Sequence, residues 1–207
     1  TSGTTNGGYG QLSSTYAARQ IVSIPNLFRC GVRLTATTVA NNIRRWGAFT
    51  TKFTLTVASS TVSVGDVYIG GNNQYFTVLT AMSLGTALVV WGNAGPGAVT
   101  GTLTRVIGAG SATITYTAVA NNGPYDGFYF EHSGANVLSV CRASAGSTVS
   151  VPSGSWNDPL PFFSMDTNVH FYEINYYTPG AQFSIDGRSA HQFKPTTAVL
   201  SQNFDLP

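Results

Sequence analysis

Apolar residues along this chain recur at every second position in short bursts, and hardly anywhere at the three-and-four spacing of a helix face. In the run from His170 to Tyr176, His170, Tyr172, Ile174 and Tyr176 fall on one side, and Phe171, Glu173 and Asn175 on the other. An extended backbone sends successive side chains to opposite faces, so this alternation predicts a strand with one buried face. The same reading predicts strands at 28–34, 53–57, 67–69, 75–79, 87–91, 101–106, 112–116, 127–130, 137–141, 169–176 and 182–185. Turn formers stand between them: Gly70-Gly71-Asn72-Asn73, Gly95-Pro96-Gly97, Asn121-Asn122-Gly123-Pro124 and Asp186-Gly187. Many short strands with frequent turns predict an all-β chain, a sandwich or barrel rather than alternating β and α units.

The texture changes inside the chain. Residues 51–119 contain neither His nor Glu, are dense in Thr, Val and Gly, and hold six strands able to close a small barrel or sandwich. The flanks are richer in Arg, Trp, Phe and Tyr. Arg44-Arg45-Trp46-Gly47-Ala48-Phe49 and Tyr125-Asp126-Gly127-Phe128-Tyr129-Phe130-Glu131 read as neighbouring strands that an ordinary hairpin would join. An insertion at such a loop tip is tolerated because its two ends lie close together. The expected organisation is a discontinuous domain, 1–50 and 120–207, carrying an inserted β module, 51–119.

Charge alters this picture more than size does. Only 9% of the 207 residues are Asp, Glu, Lys or Arg, against roughly 25% in an ordinary soluble domain. Charge keeps free proteins apart, so a neutral, hydroxyl-rich surface predicts packing against other subunits. Ten basic and eight acidic residues, with Arg44-Arg45 the only adjacent basic pair, make no stripe for a row of phosphates, and no nucleic acid is expected. No apolar run approaches the roughly 20 residues of a helical span, so no membrane insertion is expected. The opening TSGTTNGGYG has neither a signal-peptide core nor an initiating Met, so the chain reads as trimmed, and the natural protein is expected to run on beyond Pro207. Cys30 and Cys141 lie in alternating runs without CxxC neighbours and read as buried free thiols.

Candidate chemistry is sparse. A two-carboxylate glycosidase needs acids about 5–9.5 Å apart in a cleft, and Glu131, Glu173, Asp126 and Asp186 are the available groups. Glu173 lies on the outer face of its strand, where pairing with an arginine such as Arg142 is the simpler expectation. His132, His170 and His191 lack the HxH or HExxH spacing that sets two imidazoles on one metal, and read as hydrogen-bonded strand histidines. No G-x-S-x-G elbow is present. Gly108-Ala109-Gly110 opens no helix and so lacks the dipole of a phosphate loop. No enzyme activity, cofactor or metal is expected.

The runs RRWGAF, DGFYFEHSGANVLSVCRASAGSTVSVPSGSWN and NVHFYEINYYTPGAQFSIDGRSAHQF together resemble a concanavalin-like (laminin-G-like) jelly roll of tailed-bacteriophage structural proteins. The segment GTALVVWGNAGPGAVTGTLTRVIGAGSATITYTA is similar to a small β module that recurs in phage virion proteins. The resemblance covers most of the chain from about residue 28 and rests on pattern. It implies a concanavalin-like jelly-roll sandwich with an inserted small β-barrel or sandwich module, in a virion assembled in the host cytoplasm. It does not choose among capsid decoration, fibre, baseplate and tail. Jelly rolls of this kind often bind calcium or glycans at an acidic rim, but eight scattered acids suit calcium poorly and a type I′ hairpin explains Asp186-Gly187.

Aromatics are the remaining signal, since rings stack on sugars or anchor subunit interfaces. Trp156, in a Gly- and Ser-rich loop, is expected near a surface together with Tyr125 and Tyr177, whereas Trp46 is expected in the core. The leading expectation is a structural virion component acting by protein–protein assembly, with other virion proteins and copies of itself in a homo-oligomer as partners. The alternative is an adhesion module that contacts a host-surface glycan.

Overall fold

A computed structural model describes residues 25–57, 60–71, 74–80, 87–92, 95, 97–158, 160, 162–177 and 180–194. Among them there is no α-helix, and the chain is all-β. The strands are β1 (Asn26–Arg33), β2 (Ile43–Val57), β3 (Val67–Ile69), β4 (Tyr75–Val78), β5 (Ala87–Gly92), β6 (Gly101–Ile107), β7 (Thr113–Ser133), β8 (Leu138–Ser144), β9 (Ser147–Pro152), β10 (Val169–Tyr177), β11 (Gly180–Ile185) and β12 (Arg188–Phe193). They form two sheets, one ordered β1-β10-β11-β12 and the other β2-β5-β4-β3-β6-β7-β8-β9, with β2 also paired to β7. The described residues divide into two compact units, Thr50–Tyr125 and the described parts of Arg19–Phe49 with Asp126–Leu206.

In the Thr50–Tyr125 unit, β2, β5, β4, β3, β6 and β7 follow one another as hydrogen-bonded neighbours, and the Thr117 hydroxyl of β7 donates to the Thr56 carbonyl of β2 at 3.4 Å. Alternation supplies the core: Phe53, Leu55 and Val57 of β2 meet Leu88 and Val90 of β5, Phe76 and Val78 of β4, and Leu103, Ile114 and Tyr116 of β6 and β7. Burying each such side chain contributes roughly 1.5–3 kcal/mol. Asp66, 3% exposed, is the buried charge of this unit. Its Oδ2 accepts the Ser63 N–H at 2.8 Å and its Oδ1 the Ala109 N–H at 3.3 Å, which ties the β2–β3 connection to the β6–β7 turn. A Cβ on Gly108 would stand 1.9 Å from Asp66 Oδ1 and one on Gly110 2.4 Å from Oδ2, so these glycines make room for the carboxylate.

In the other unit the four-stranded sheet supplies Tyr172, Ile174, Tyr176, Phe183 and Ile185 to a core shared with Trp46, Phe128, Phe130, Leu138 and Val140 of β2, β7 and β8. Tyr172 is the hub, with ring centroids 4.9 Å from both Trp46 and Phe130 in edge-on packing. The two strands of the RRWGAF and DGFYF runs approach closely: a Cβ on Gly47 would stand 2.4 Å from the Phe128 carbonyl oxygen, and one on Gly127 2.2 Å from that of Ala48. Gly127 also has φ +125, a conformation side chains resist.

Two sequence expectations are corrected here. Asn121-Asn122-Gly123-Pro124 makes no chain reversal: it lies within β7, a single strand of 21 residues. Gly123 takes φ 90 and its N–H is held by Asn121 Oδ1 at 2.8 Å, so the turn chemistry only bends a strand whose ends pair with β6 and β8. Strands β9 and β12 fall outside the alternating runs of the sequence, β9 because half of Ser147–Pro152 is hydroxyl-bearing and only Val149 and Val151 carry an apolar alternation. Asp186-Gly187 does form the β11–β12 turn, with φ 50 and 74, the two positive values of a type I′ hairpin.

Candidate functional site

The acids suggested by the sequence are dispersed into separate local roles. Glu131 pairs with Arg45 at 2.7 Å across neighbouring strands. Glu173 pairs with Arg29, opposite it in the β1–β10 register, and not with Arg142, whose guanidinium lies 5.6 Å from the Phe193 ring centroid. The strand order that sets β1 beside β10 is a long-range outcome and decides this partner. Asp126 accepts the Ala145 N–H at 2.7 Å and so holds the tight β8–β9 turn. Asp186 receives the Phe171 N–H at 2.8 Å and meets His170 Nδ1 at 2.7 Å.

The histidines also separate. His132 is fully buried, with Nε2 on Asn136 Oδ1 at 3.0 Å and Nδ1 without a partner. His191 Nδ1 accepts the Asn157 N–H at 3.3 Å, and burial pushes its pKa below the ordinary histidine value. Among the described residues no group of three or more His, Cys, Asp or Glu converges on a point where a cation would sit. Cys30 and Cys141 are free thiols, half-buried and buried, and desolvation pushes both up to about 11.

Trp156 corrects an expectation of the sequence. It is 6% exposed and belongs to the core around Tyr172, with Nε1 donating to the Val151 carbonyl at 3.0 Å. A ring buried in this way has no face for a sugar. The next residue continues the docking: Asn157 Nδ2 donates to the Gln192 carbonyl at 3.0 Å and Asn157 Oδ1 accepts the Gln192 N–H at 2.9 Å. The Leu160 N–H donates to the Ser189 carbonyl at 2.9 Å. Asn157 and Leu160 thus occupy the hydrogen-bonding groups along the outer edge of β12, an edge that otherwise invites pairing. The Gly-Ser composition that suggested a surface loop reflects its turns at 153–155, not the fate of its tryptophan. Trp46 packs against the same core, half-buried, as expected.

Tyr125 is half-exposed and forms a parallel pair with Trp91, centroids 6.3 Å apart and planes within 9°. Both rings are among the aromatics the sequence offers for stacking, but their pairing is not legible there, because they are far apart in sequence and meet only through the strand order β5-β2-β7. Lys52 stands opposite Trp91 in the β2–β5 register. Tyr177 ends β10, and its side chain lies outside the described residues.

A second exposed feature is the outer face of the β1-β10-β11-β12 sheet. Leu27 (58% exposed), Val169 (53%) and Phe171 (58%) lie on it, and Phe171 rests over Gly31, whose Cβ would stand 3.4 Å from the ring. The Arg29–Glu173 pair lies on the same side, so part of the charge there is internally neutralised.

Comparison of the chain with protein-family models, with curated proteins and with solved structures finds no match in any of the three.

Proposed function

We propose that the protein is a structural component of a bacteriophage virion that acts by protein–protein assembly and carries out no catalysis. In this reading the unit holding β8 to β12 is a concanavalin-like jelly roll, and the six strands of Thr50–Tyr125 make a small closed barrel inserted into it. The carrying observation is the outer sheet face bearing Leu27, Val169 and Phe171 in a chain with 9% charged residues. Val169 and Phe171 adjoin on this face and Leu27 lies beyond the Arg29–Glu173 pair, and exposed apolar side chains on a sheet face mark surfaces that meet a partner. The phage-like pattern of the RRWGAF, DGFYF and HFYEI runs supplies the context, with other virion proteins and further copies of this chain as partners. Light scattering over a concentration series, with co-sedimentation on capsids and tails, tests the reading. A homo-oligomer weakened by Phe171→Lys, with unchanged circular dichroism, is the expected result. A chain that stays monomeric at high concentration and binds no particle defeats it.

A second reading, a module that contacts a host-surface glycan, is favoured by the Trp91–Tyr125 pair, two parallel rings that are both only partly buried. A glycan array separates the two: saturable binding lost on Trp91→Ala and on Tyr125→Ala supports adhesion, and blank arrays dismiss it.

A further inference from the structure

His170 begins the inward face of β10 with a carboxylate at each ring nitrogen. Nδ1 lies 2.7 Å from Asp186 Oδ2, and Nε2 lies 3.0 Å from Asp166 Oδ1. Ionised carboxylates only accept hydrogen bonds, and a neutral imidazole carries one N–H. Both contacts are therefore donated only by the imidazolium. Asp166 is a poor source of the missing proton: the Asn168 backbone N–H, then His170 and the Asn168 side chain, hold its carboxyl below the usual carboxylate value.

The two carboxylates belong to different segments. Asp186 sits in the β11–β12 turn, where the Phe171 N–H also holds it at 2.8 Å. Asp166 lies in the stretch before β10 that lays Met165, 4% exposed, onto the core, where the Tyr172 hydroxyl donates to Met165 Sδ at 2.9 Å. Phe163 of the same stretch packs edge-on against the His170 ring at 4.8 Å. We propose that His170 is a pH-sensitive clasp: as imidazolium it ties residues 162–168 to the β11–β12 hairpin, and on losing its proton it releases Asp166 and loosens that stretch. Asp186 keeps the remaining N–H, because the turn and Phe171 hold it in place without His170.

Other groups around the clasp set its limits. Val32 of β1 lies opposite His170, flanked by Arg33, whose Nε donates to the Thr167 carbonyl at 3.1 Å. That tie does not pass through His170, so release loosens the stretch without detaching it. Cys30 of β1 is pushed up to about 11 and Tyr172 above its ordinary value, so both stay neutral where His170 titrates. Arg188 opens β12 beyond the turn. Burial opposes charge on the His170 ring, but the hydrogen bonds it donates to Asp186 and Asp166 outweigh it and set its pKa above the ordinary 6.5. A raised value means that the stabilisation is complete below the unfolded-state pKa and is lost as pH rises through the folded one.

The test uses the full chain. The imidazole Cε1–H of His170, assigned by its loss in His170→Gln, is titrated by NMR, and hydrogen exchange of amides 162–168 is followed at about pH 5.5 and about pH 8.5, straddling the ordinary histidine range. We expect a titration above 6.5 and, after correction for intrinsic exchange, protection falling by roughly threefold or more at the higher pH. Asp166→Asn should lower the His170 pKa and flatten the response. A His170 titrating at or below 6.5, equal protection at both pH values in the wild type, or an Asp166→Asn variant with unchanged titration and response would each overturn the proposal.

Discussion

Replacing Trp156 with Ala separates a core role from a surface role for this residue. The ring is 6% exposed, packs in the core with Phe128, Tyr172 and Phe193 among others, and its Nε1 donates to Val151 at 3.0 Å. Truncating a buried aromatic to Ala costs about 3–5 kcal/mol. The orphaned Val151 carbonyl adds about 1 kcal/mol if no water reaches it. With a guanidinium slope of about 4 kcal/mol/M for a unit of this size, the unfolding midpoint should fall by about 1 M. Trp156→Phe keeps most of the apolar contact and loses the hydrogen bond, at about 1–2 kcal/mol. The assay is guanidinium unfolding followed by far-ultraviolet circular dichroism, because fluorescence would change with the tryptophan itself. Were Trp156→Ala to unfold within about 0.5 kcal/mol of the wild type, as surface substitutions do, the core assignment would be refuted. Any loss of ligand binding in this variant is to be read against its stability.

Three further outcomes follow from the same geometry. Gly127→Ala must place a Cβ 2.2 Å from the Ala48 carbonyl oxygen at φ +125, so we expect a loss of about 2–4 kcal/mol in chemical unfolding, and a loss under about 0.5 kcal/mol would contradict the close approach of β2 and β7. Asp66→Ala strips the Ser63 and Ala109 N–H groups of their acceptor and should cost about 2–3 kcal/mol, with faster hydrogen exchange at both amides; unchanged exchange there would dismiss the tie. Both thiols, pushed up to about 11 by burial, should resist iodoacetamide at about pH 8 in the folded protein and react on unfolding, and rapid native alkylation of Cys141 would contradict its burial.

What was legible in the sequence is what short-range pattern encodes. Alternation gave the all-β class and the inward face of β10, where Tyr172, Ile174 and Tyr176 are buried, and Asp-Gly gave the type I′ turn. Asn-Asn-Gly-Pro misled because its turn chemistry is local, whereas pairing with β6 and β8 holds the strand extended on either side of it. β12 was missed although Ala190, His191 and Phe193 are buried, since Arg188-Ser189 at its start reads as loop. Partners set by strand order were beyond reach: Glu173 with Arg29 instead of Arg142, Tyr125 with Trp91, and His170 with two carboxylates. Trp156 failed for the complementary reason, because composition describes the flexibility of a loop and not the destination of its largest side chain.

The close passage of Phe49 and Gly127 brings together the two points where the chain crosses between its compact units. A Cβ on Gly127 would stand 2.6 Å from the Phe49 Cα, so the chain leaves and re-enters the remaining unit through adjacent ports. A two-residue splice there would regenerate a plain hairpin, and unrelated modules could be grafted at the same doorway without recarving the core around Tyr172.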